Sequence, residues 1–240
     1  MKICAISDLH GTFPKSVPDC DLLIVAGDVC PDIFPGRQYA RNYPTVQLEW
    51  FEDVFVPWVQ KQPCEFAVST WGNHDFCGHL KPNAEYRGLD VISDGPVMVN
   101  GVKLWLTPWS NSFMDWAWMK PHEELAQVYA KIPEDVDILV SHQPPYGYGD
   151  LYPNLDTGKL EHIGSSELLY AIERTRPSHV VCGHLHGGHG SYWHGDDWGV
   201  LGSSIHNVSI LNEGYQLYYP VTTFEAEPRG CARPFSGGCA

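Results

Sequence analysis

No stretch of this chain reaches the roughly 18 consecutive apolar residues of a membrane-spanning helix, so no membrane anchor is expected. Basic residues are scarce. Fifteen Lys and Arg stand against 29 Asp and Glu, a formal charge of −14. That balance disfavours general nucleic-acid or anionic-membrane binding. It does not exclude a small anionic substrate, because bound divalent cations would reverse the field locally. Closely spaced cysteine pairs are missing too: Cys4, Cys20, Cys30, Cys64, Cys77, Cys182, Cys231 and Cys239 form no C-x-x-C unit. Met1-Lys2 runs straight into Ile3-Cys4-Ala5-Ile6, too short for a signal-peptide core. Free thiols in a reducing cytoplasm are therefore expected. Repeats of solenoid period and low-complexity tracts are also lacking. What is present, 43% hydrophobic and 18% charged residues over 240 positions, describes a globular chain with a sizeable core.

Short apolar runs at residues 2–7, 21–26, 65–70, 136–140 and 179–182 read as buried strands. Asn100-Gly101, between Val97-Met98-Val99 and the run Val102–Thr107, predicts a type I′ hairpin. Helical spacing of Phe51, Val54, Phe55, Trp58 and Val59 predicts a helix over 45–61, kinked or stopped at Pro57. A second helix should open with Pro121 in its first turn, with Leu125, Val128, Tyr129 and Ile132 as its apolar stripe. A third, at about 165–175, should end ahead of Pro177. Strands at roughly 198–205 and 215–224 close a domain spanning 1–227, and residues 228–240 read as a surface tail. Helices alternating with strands, then mostly strands, suggest two packed sheets with helices outside.

Ligand-type residues recur where the buried runs stop: Asp8/His10, Asp28, Asn73/His74, His142, and His184/His186. Residues two apart on a strand share a face, so Asp-x-His and His-x-His could each aim two ligands at one point. The donors mix carboxylate, amide and imidazole without a thiolate. That suits Mn²⁺, Fe²⁺ or Zn²⁺ rather than a Cys zinc site or an all-oxygen Ca²⁺ site. Eight such residues are too many for one tetrahedral ion and enough for two.

Asp8-Leu9-His10, Gly27-Asp28, Gly72-Asn73-His74-Asp75, Ser141-His142-Gln143-Pro144-Pro145 and Gly183-His184-Leu185-His186 closely resemble the five motifs of the calcineurin-like metallophosphoesterase superfamily, in order. Within it, Pro108-Trp109 through Trp116-Ala117-Trp118, the stretch Ile132–Leu139 and the Gly147/Asp150 spacing are similar to the small metallophosphoesterase-domain proteins. The resemblance implies an α/β fold, a four-layer αββα sandwich of two mixed β-sheets flanked by helices. It implies that Asp8, His10 and His186 hold one metal, that Asn73, His142 and His184 hold a second, and that Asp28 bridges them. His74 would stand outside the metal shell near the leaving oxygen, with Asp75 to orient it. A metal-bridging hydroxide would then attack phosphorus in line.

The expected function is a binuclear metal phosphodiesterase acting on a small phosphoester, with a nucleotide-type ester as one candidate. Alternatives are a phosphomonoesterase or protein phosphatase, a nucleotide pyrophosphohydrolase, and a metal-binding scaffold without activity. The protein-phosphatase reading is weakened because Gly27-Asp28-Val29-Cys30-Pro31-Asp32-Ile33 lacks an Arg-Gly ending. Arg37 and Arg41 could hold a substrate phosphate or be solvated loop charges. Trp109, Phe113, Trp116 and Trp118 could stack a nucleobase or simply pack. His189 and His206 could line the pocket, against a structural reading.

Overall fold

The computed structural model describes residues 1–33, 42–154, 156–195 and 202–229. Five strands come first, broken by one long helix: β1 (Lys2–Ile6), β2 (Cys20–Ala26), β3 (Cys64–Thr70), β4 (Ala84–Tyr86) and β5 (Leu89–Val91). Next are β6 (Gly95–Val99), β7 (Val102–Thr107), the short β8 (Ser110–Asn111) and β9 (Met119–Lys120), and β10 (Ile138–Ser141). A small hairpin, β11 (Leu151–Pro153) and β12 (Leu160–His162), precedes β13 (His179–Cys182), β14 (Gly190–Gly195), β15 (Gly202–Asn207) and β16 (Thr222–Glu225). One six-stranded sheet has the order β16-β1-β2-β3-β5-β4, the other β14-β15-β13-β10-β7-β6. Both are mixed, with parallel centres and antiparallel edges.

Alternation along the strands divides the core into layers. Ile3, Ala5, Leu22, Ile24 and Ala26 meet Leu104, Leu106, Ile138, Val140 and Val181 between the sheets. Their neighbours Cys4, Ile6, Leu23 and Val25 face outward onto Phe51, Phe55, Val56 and Val59. On the far side Leu139, Val180 and Cys182 pack on α3 (His122–Tyr129) and α4 (Ser166–Thr175). The αββα sandwich expected from the sequence is the fold observed.

Three details refine the local expectations. The first helix does not stop at Pro57. It runs from α1 (Pro44–Trp50) through a π-helical turn, Phe51–Phe55, into α2 (Val56–Val59). Val56 N–H donates to Phe51 O, five residues back, just ahead of a proline that has no N–H and would crowd the carbonyl four residues back. Pro121 caps α3 rather than opening it. The edge strand β14 was not expected from the sequence. Asn100 (φ 50°) and Gly101 (φ 82°) form the hairpin turn, and α4 starts with Ser165 Oγ accepting from Leu168 N–H.

Cys4, Cys20, Cys30, Cys64, Cys77 and Cys182 are free thiols, while Cys231 and Cys239 lie outside the described residues. Among the described residues, no helix is long and apolar enough to cross a membrane. The expected tail is described only at Pro228 and Arg229. The Arg229 N–H donates to Asp137 Oδ1 (2.7 Å), and its guanidinium donates to the carbonyls of Glu134 and Thr175 (2.9 Å each).

Candidate metal centre

Parallel strands β1, β2, β3, β10 and β13 end on one side of the sandwich, so the residues following them converge. Ligand atoms of Asp8, His10 and His186 all lie within 4.8 Å of one another, as do those of Asp28, His142 and His184. Asp28 Oδ2 joins the groups, 3.7 Å from His10 Nε2 and 3.2 Å from His142 Nε2. Asn73 Oδ1 is 2.9 Å from that same His142 nitrogen. The structure thus brings together the seven residues expected from the sequence.

Such crowding needs small residues and unusual backbone. A Cβ on Gly72 would strike the Asp28 carboxylate, and one on Gly183 would strike Ser7 and Asp8. Asp8, His10, Asp28 and His184 all sit at positive φ, between 43° and 69°. Such conformations in non-glycine residues are strained and concentrate at functional sites. Backbone amides offset part of the charge: His184 N–H donates to Asp8 (3.0 Å) and His74 N–H to Asp28 Oδ1 (2.8 Å).

Ring tautomers are set by backbone carbonyls. His142 Nδ1–H donates to Ala26 O (2.8 Å) and His186 Nδ1–H to Asn212 O (3.0 Å), which turns both Nε2 atoms toward carboxylates. This is the outer-shell arrangement of metal-ligating histidines. Both ring nitrogens of His10 are buried without a hydrogen bond, and His142 Nε2 faces two acceptor oxygens. Lone pairs converging with no donor among them fit bound cations, and the N/O donor set suits borderline divalent ions.

Without metal, protons carry the compensating charge. Burial opposes ionisation of His142 and His186, yet Asp28 beside the first and Asp8 beside the second push each up to about 9. Burial and the His142 charge drive His184 down to about 3. Asp8 is held at about 2 against its burial by His186, and Asp28 is lowered well below the usual carboxylate range, chiefly by His142.

His74 stands beside this cluster with its ring stacked on Trp116 (centroids 4.2 Å apart). The sequence suggested Asp75 as its orienting partner. Asp75 instead turns inward and accepts from the N–H groups of Val29, Cys30 and Gly72 at 2.8–3.2 Å, tying two site loops together. Burial and the nearby Asp28 charge raise its pKa to about 6. The partner of His74 is Asp32, whose Oδ1 lies 2.5 Å from Nδ1 while its Oδ2 lies 3.0 Å from His10 Nδ1, off line for a hydrogen bond. Asp32 is held at about 2, since the His10 and His74 rings outweigh its burial. His74 is raised: burial lowers it, but the Asp28 charge and the Asp32 hydrogen bond prevail. The signal missed in the sequence was a carboxylate four residues after Asp28. Gln47 was missed too; from α1 it donates to His74 O (2.8 Å) and accepts from Cys77 N–H (3.0 Å), fixing that loop.

Trp109 is a second correction. It packs edge-on to Trp118 at 5.2 Å, beneath Lys120 Nζ at 4.5 Å, and contacts both outer cores. The indole at the centre is Trp116. His189 stacks on Tyr219, and His206 stacks on Phe224 and bonds Ser191. Arg37 and Arg41 lie outside the described residues.

Comparison with known proteins agrees with this geometry. The calcineurin-like phosphoesterase family profile matches residues 1–188. Human metallophosphoesterase domain-containing protein 1 is 27% identical, over 91% of this chain and 69% of its own. A UPF0046 protein of Caenorhabditis elegans is 31% identical over 82% of this chain and 72% of its own. Among solved structures, purple acid phosphatase PPD1 from yellow lupin seeds superposes with a TM-score of 0.50 at 11% identity, over 95% of this chain and 48% of that one.

Proposed function

The chain belongs to the calcineurin-like phosphoesterase family and is a metal-dependent phosphoester hydrolase, and from that premise we propose that it hydrolyses a small phosphodiester. In this reading Asp8, His10 and His186 hold one divalent ion, Asn73, His142 and His184 the second, and Asp28 serves both. The observation that carries it is the single Asp28 oxygen lying between the two ligand groups. When bound, two divalent ions polarise phosphoryl oxygens and acidify water at neutral pH.

The chain's own residues do the rest. Asp32 accepts a hydrogen bond from His74 Nδ1–H and holds the ring protonated, which leaves Nε2–H as the group that hands a proton to the departing oxygen. Trp116 and Gln47 hold that ring and its backbone in place. Asp32 also supports a diester over a monoester. Its partly exposed carboxylate (31% of the side chain) beside His10 and His74 opposes the second negative charge of a phosphomonoester.

The test is metal analysis after Mn²⁺ loading, with rates on bis-p-nitrophenyl phosphate and p-nitrophenyl phosphate. Two ions per chain and faster diester cleavage are expected. Faster monoester cleavage by the two-ion protein would reject the diester assignment, and a single ion would reject the binuclear one. Replacement of Asp32 by Asn should narrow the diester preference.

A further inference from the structure

Tyr215 lies in the turn Asn212–Gln216, between β15 and β16, and no part of the sequence pattern points to it. The structure sets its ring against two of the candidate metal ligands. Its centroid is 4.8 Å from that of His10 and 5.0 Å from that of His186, edge-on to both. The residue is 51% exposed, so much of the ring remains open beside the centre. Its backbone is left-handed, φ 57°, where Gly or Asn rests easily and tyrosine is strained.

The strain is not explained by holding His186. Asn212 does that through its carbonyl, which accepts from His186 Nδ1–H (3.0 Å) and from Tyr215 N–H (2.8 Å). Glu213 adds a bond from Gly187 N–H (2.7 Å). The turn closes on Asn212 Oδ1, which accepts from the N–H groups of Gly214 and Gln216 at 3.0 Å each. None of these contacts uses the Tyr215 side chain. Four other residues outside the centre have positive φ: Asn100 in a hairpin turn, Arg176 at a helix C-cap, and Met114 and Trp118 between β8 and β9, where the Trp118 ring is buried and its Nε1–H donates to Asp75 O (3.1 Å). Tyr215 shares its conformation instead with Asp8, His10, Asp28 and His184, the strained residues of the centre it touches. Unlike the buried Trp118, the Tyr215 ring combines that backbone with an open face beside the ligand histidines, where a substrate can reach it.

We propose that Tyr215 determines specificity, its ring stacking a flat aromatic substituent on the phosphoester, the one retained when the leaving group departs. This rests on the phosphodiesterase reading. Two aromatics flank different histidines, the exposed Tyr215 at His10 and His186 and the half-buried Trp116 at His74. With His74 serving the leaving oxygen, the Tyr215 side is left to the other substituent.

The experiment compares phenyl p-nitrophenyl phosphate with methyl p-nitrophenyl phosphate, which share a leaving group, in the parent, Tyr215→Asn and Tyr215→Phe. Binding of phenylphosphonate and methylphosphonate is measured by calorimetry alongside. Tyr215→Asn should reduce the phenyl-over-methyl ratio, in kcat/KM and in affinity, by roughly 3- to 10-fold, the scale of one aromatic pair. Its melting temperature should hold or rise, because Asn suits the backbone. Tyr215→Phe should keep the parental ratio. An unchanged ratio in Tyr215→Asn, or equal losses on both esters with a lower melting temperature, would overturn the assignment. So would loss of the ratio in Tyr215→Phe, which would give the role to the hydroxyl. A parent that binds two ions but cleaves neither ester would remove the diesterase reading, and the phosphonate affinities would then decide Tyr215 alone.

Discussion

His142 is placed by the sheets, with Asn73 resting against it, whereas His10 and His186 are placed by loops. His142 is fully buried where β10 ends, and its Nδ1–H reaches across to Ala26 of β2, pinning one sheet to the other. Asn73 Oδ1 lies against the opposite side of that ring. On the other half, His10 makes no hydrogen bond through its ring, and His186 is set by the carbonyl of Asn212 in a surface turn. That half also carries the Asp32 and Tyr215 neighbours. One half is therefore part of the fold, and the other is presented by it. Substitutions in the first should register as stability and in the second as chemistry, with Asp28, which touches both, as the exception.

Asp28→Asn erases the comparison and has the largest effect. The halves share its Oδ2, so both ions should be lost together and diester hydrolysis should drop by more than the roughly 100-fold typical of outer-shell changes. Metal analysis after Mn²⁺ loading checks this; a variant that keeps one tight ion would mean that the halves are independent.

His74→Ala should leave both halves loaded and slow the reaction. On a diester with a poor alkoxide leaving group the loss should be roughly 10²–10⁴-fold, the usual contribution of general acid catalysis. With p-nitrophenolate, which departs without a proton, it should be markedly smaller. Equal losses on both esters would give His74 a phosphate-positioning role, and loss of an ion would make it a ligand.

In the metal-free protein, His142→Ala should lower the melting temperature more than His10→Ala. The first strands the Ala26 carbonyl, at about 1–3 kcal/mol, equivalent to roughly 2–4 °C per kcal/mol in a protein of this size. The second removes no hydrogen bond. Equal losses would show that the loop-borne half is as much a part of the fold as the sheet-borne one.

These contrasts also mark what could be read beforehand. The apolar runs and the residues ending them announced the sandwich and the seven converging groups, because parallel strands must deliver their C-terminal ends to one side. What lay hidden depended on loop closure. Asp32 follows Asp28 without a strand's register to aim it, and Tyr215 comes from a turn more than 180 residues further along the chain. Asp75 misled by adjacency: it follows His74 in the chain, yet its carboxylate serves three buried N–H groups. Trp109 misled by residue type, since an indole near a site motif can as readily fill the join between cores.

Proton linkage bears on the comparison more weakly. His142 from one half and His186 from the other are both pushed up to about 9, above the roughly 6.5 of an unfolded chain. Their contribution to metal-free stability is complete below pH 6.5 and is lost as pH rises through 9. Melting temperature without metal should therefore fall across that window. The increase produced by Mn²⁺ should grow over the same range, because binding displaces those protons. A metal-free melting temperature that rises from pH 6.5 to 9 would contradict the pairing of these rings with Asp28 and Asp8.

The smallest effect is expected farthest from either half. Asp137, almost fully buried just ahead of β10, accepts from Lys103 N–H and from Arg229 N–H at 2.7 Å each, while the Arg229 guanidinium serves two carbonyls. Truncation after Arg229 keeps these bonds, and truncation after Glu227 removes those of Arg229. At about 0.5–1.5 kcal/mol per hydrogen bond, partly recovered by water at this exposed edge, the shorter chain should melt a few degrees lower. Neither truncation should change metal content or kcat/KM, since these contacts lie at the N-terminal end of β10 and the ligands follow its C-terminal end. A loss of activity on going from the longer to the shorter chain, with melting temperature unchanged, would mean that the Arg229 bonds govern the centre through the length of β10. Such coupling would reach His142 first, and would turn the sheet-borne half from the fixed side of the comparison into the movable one.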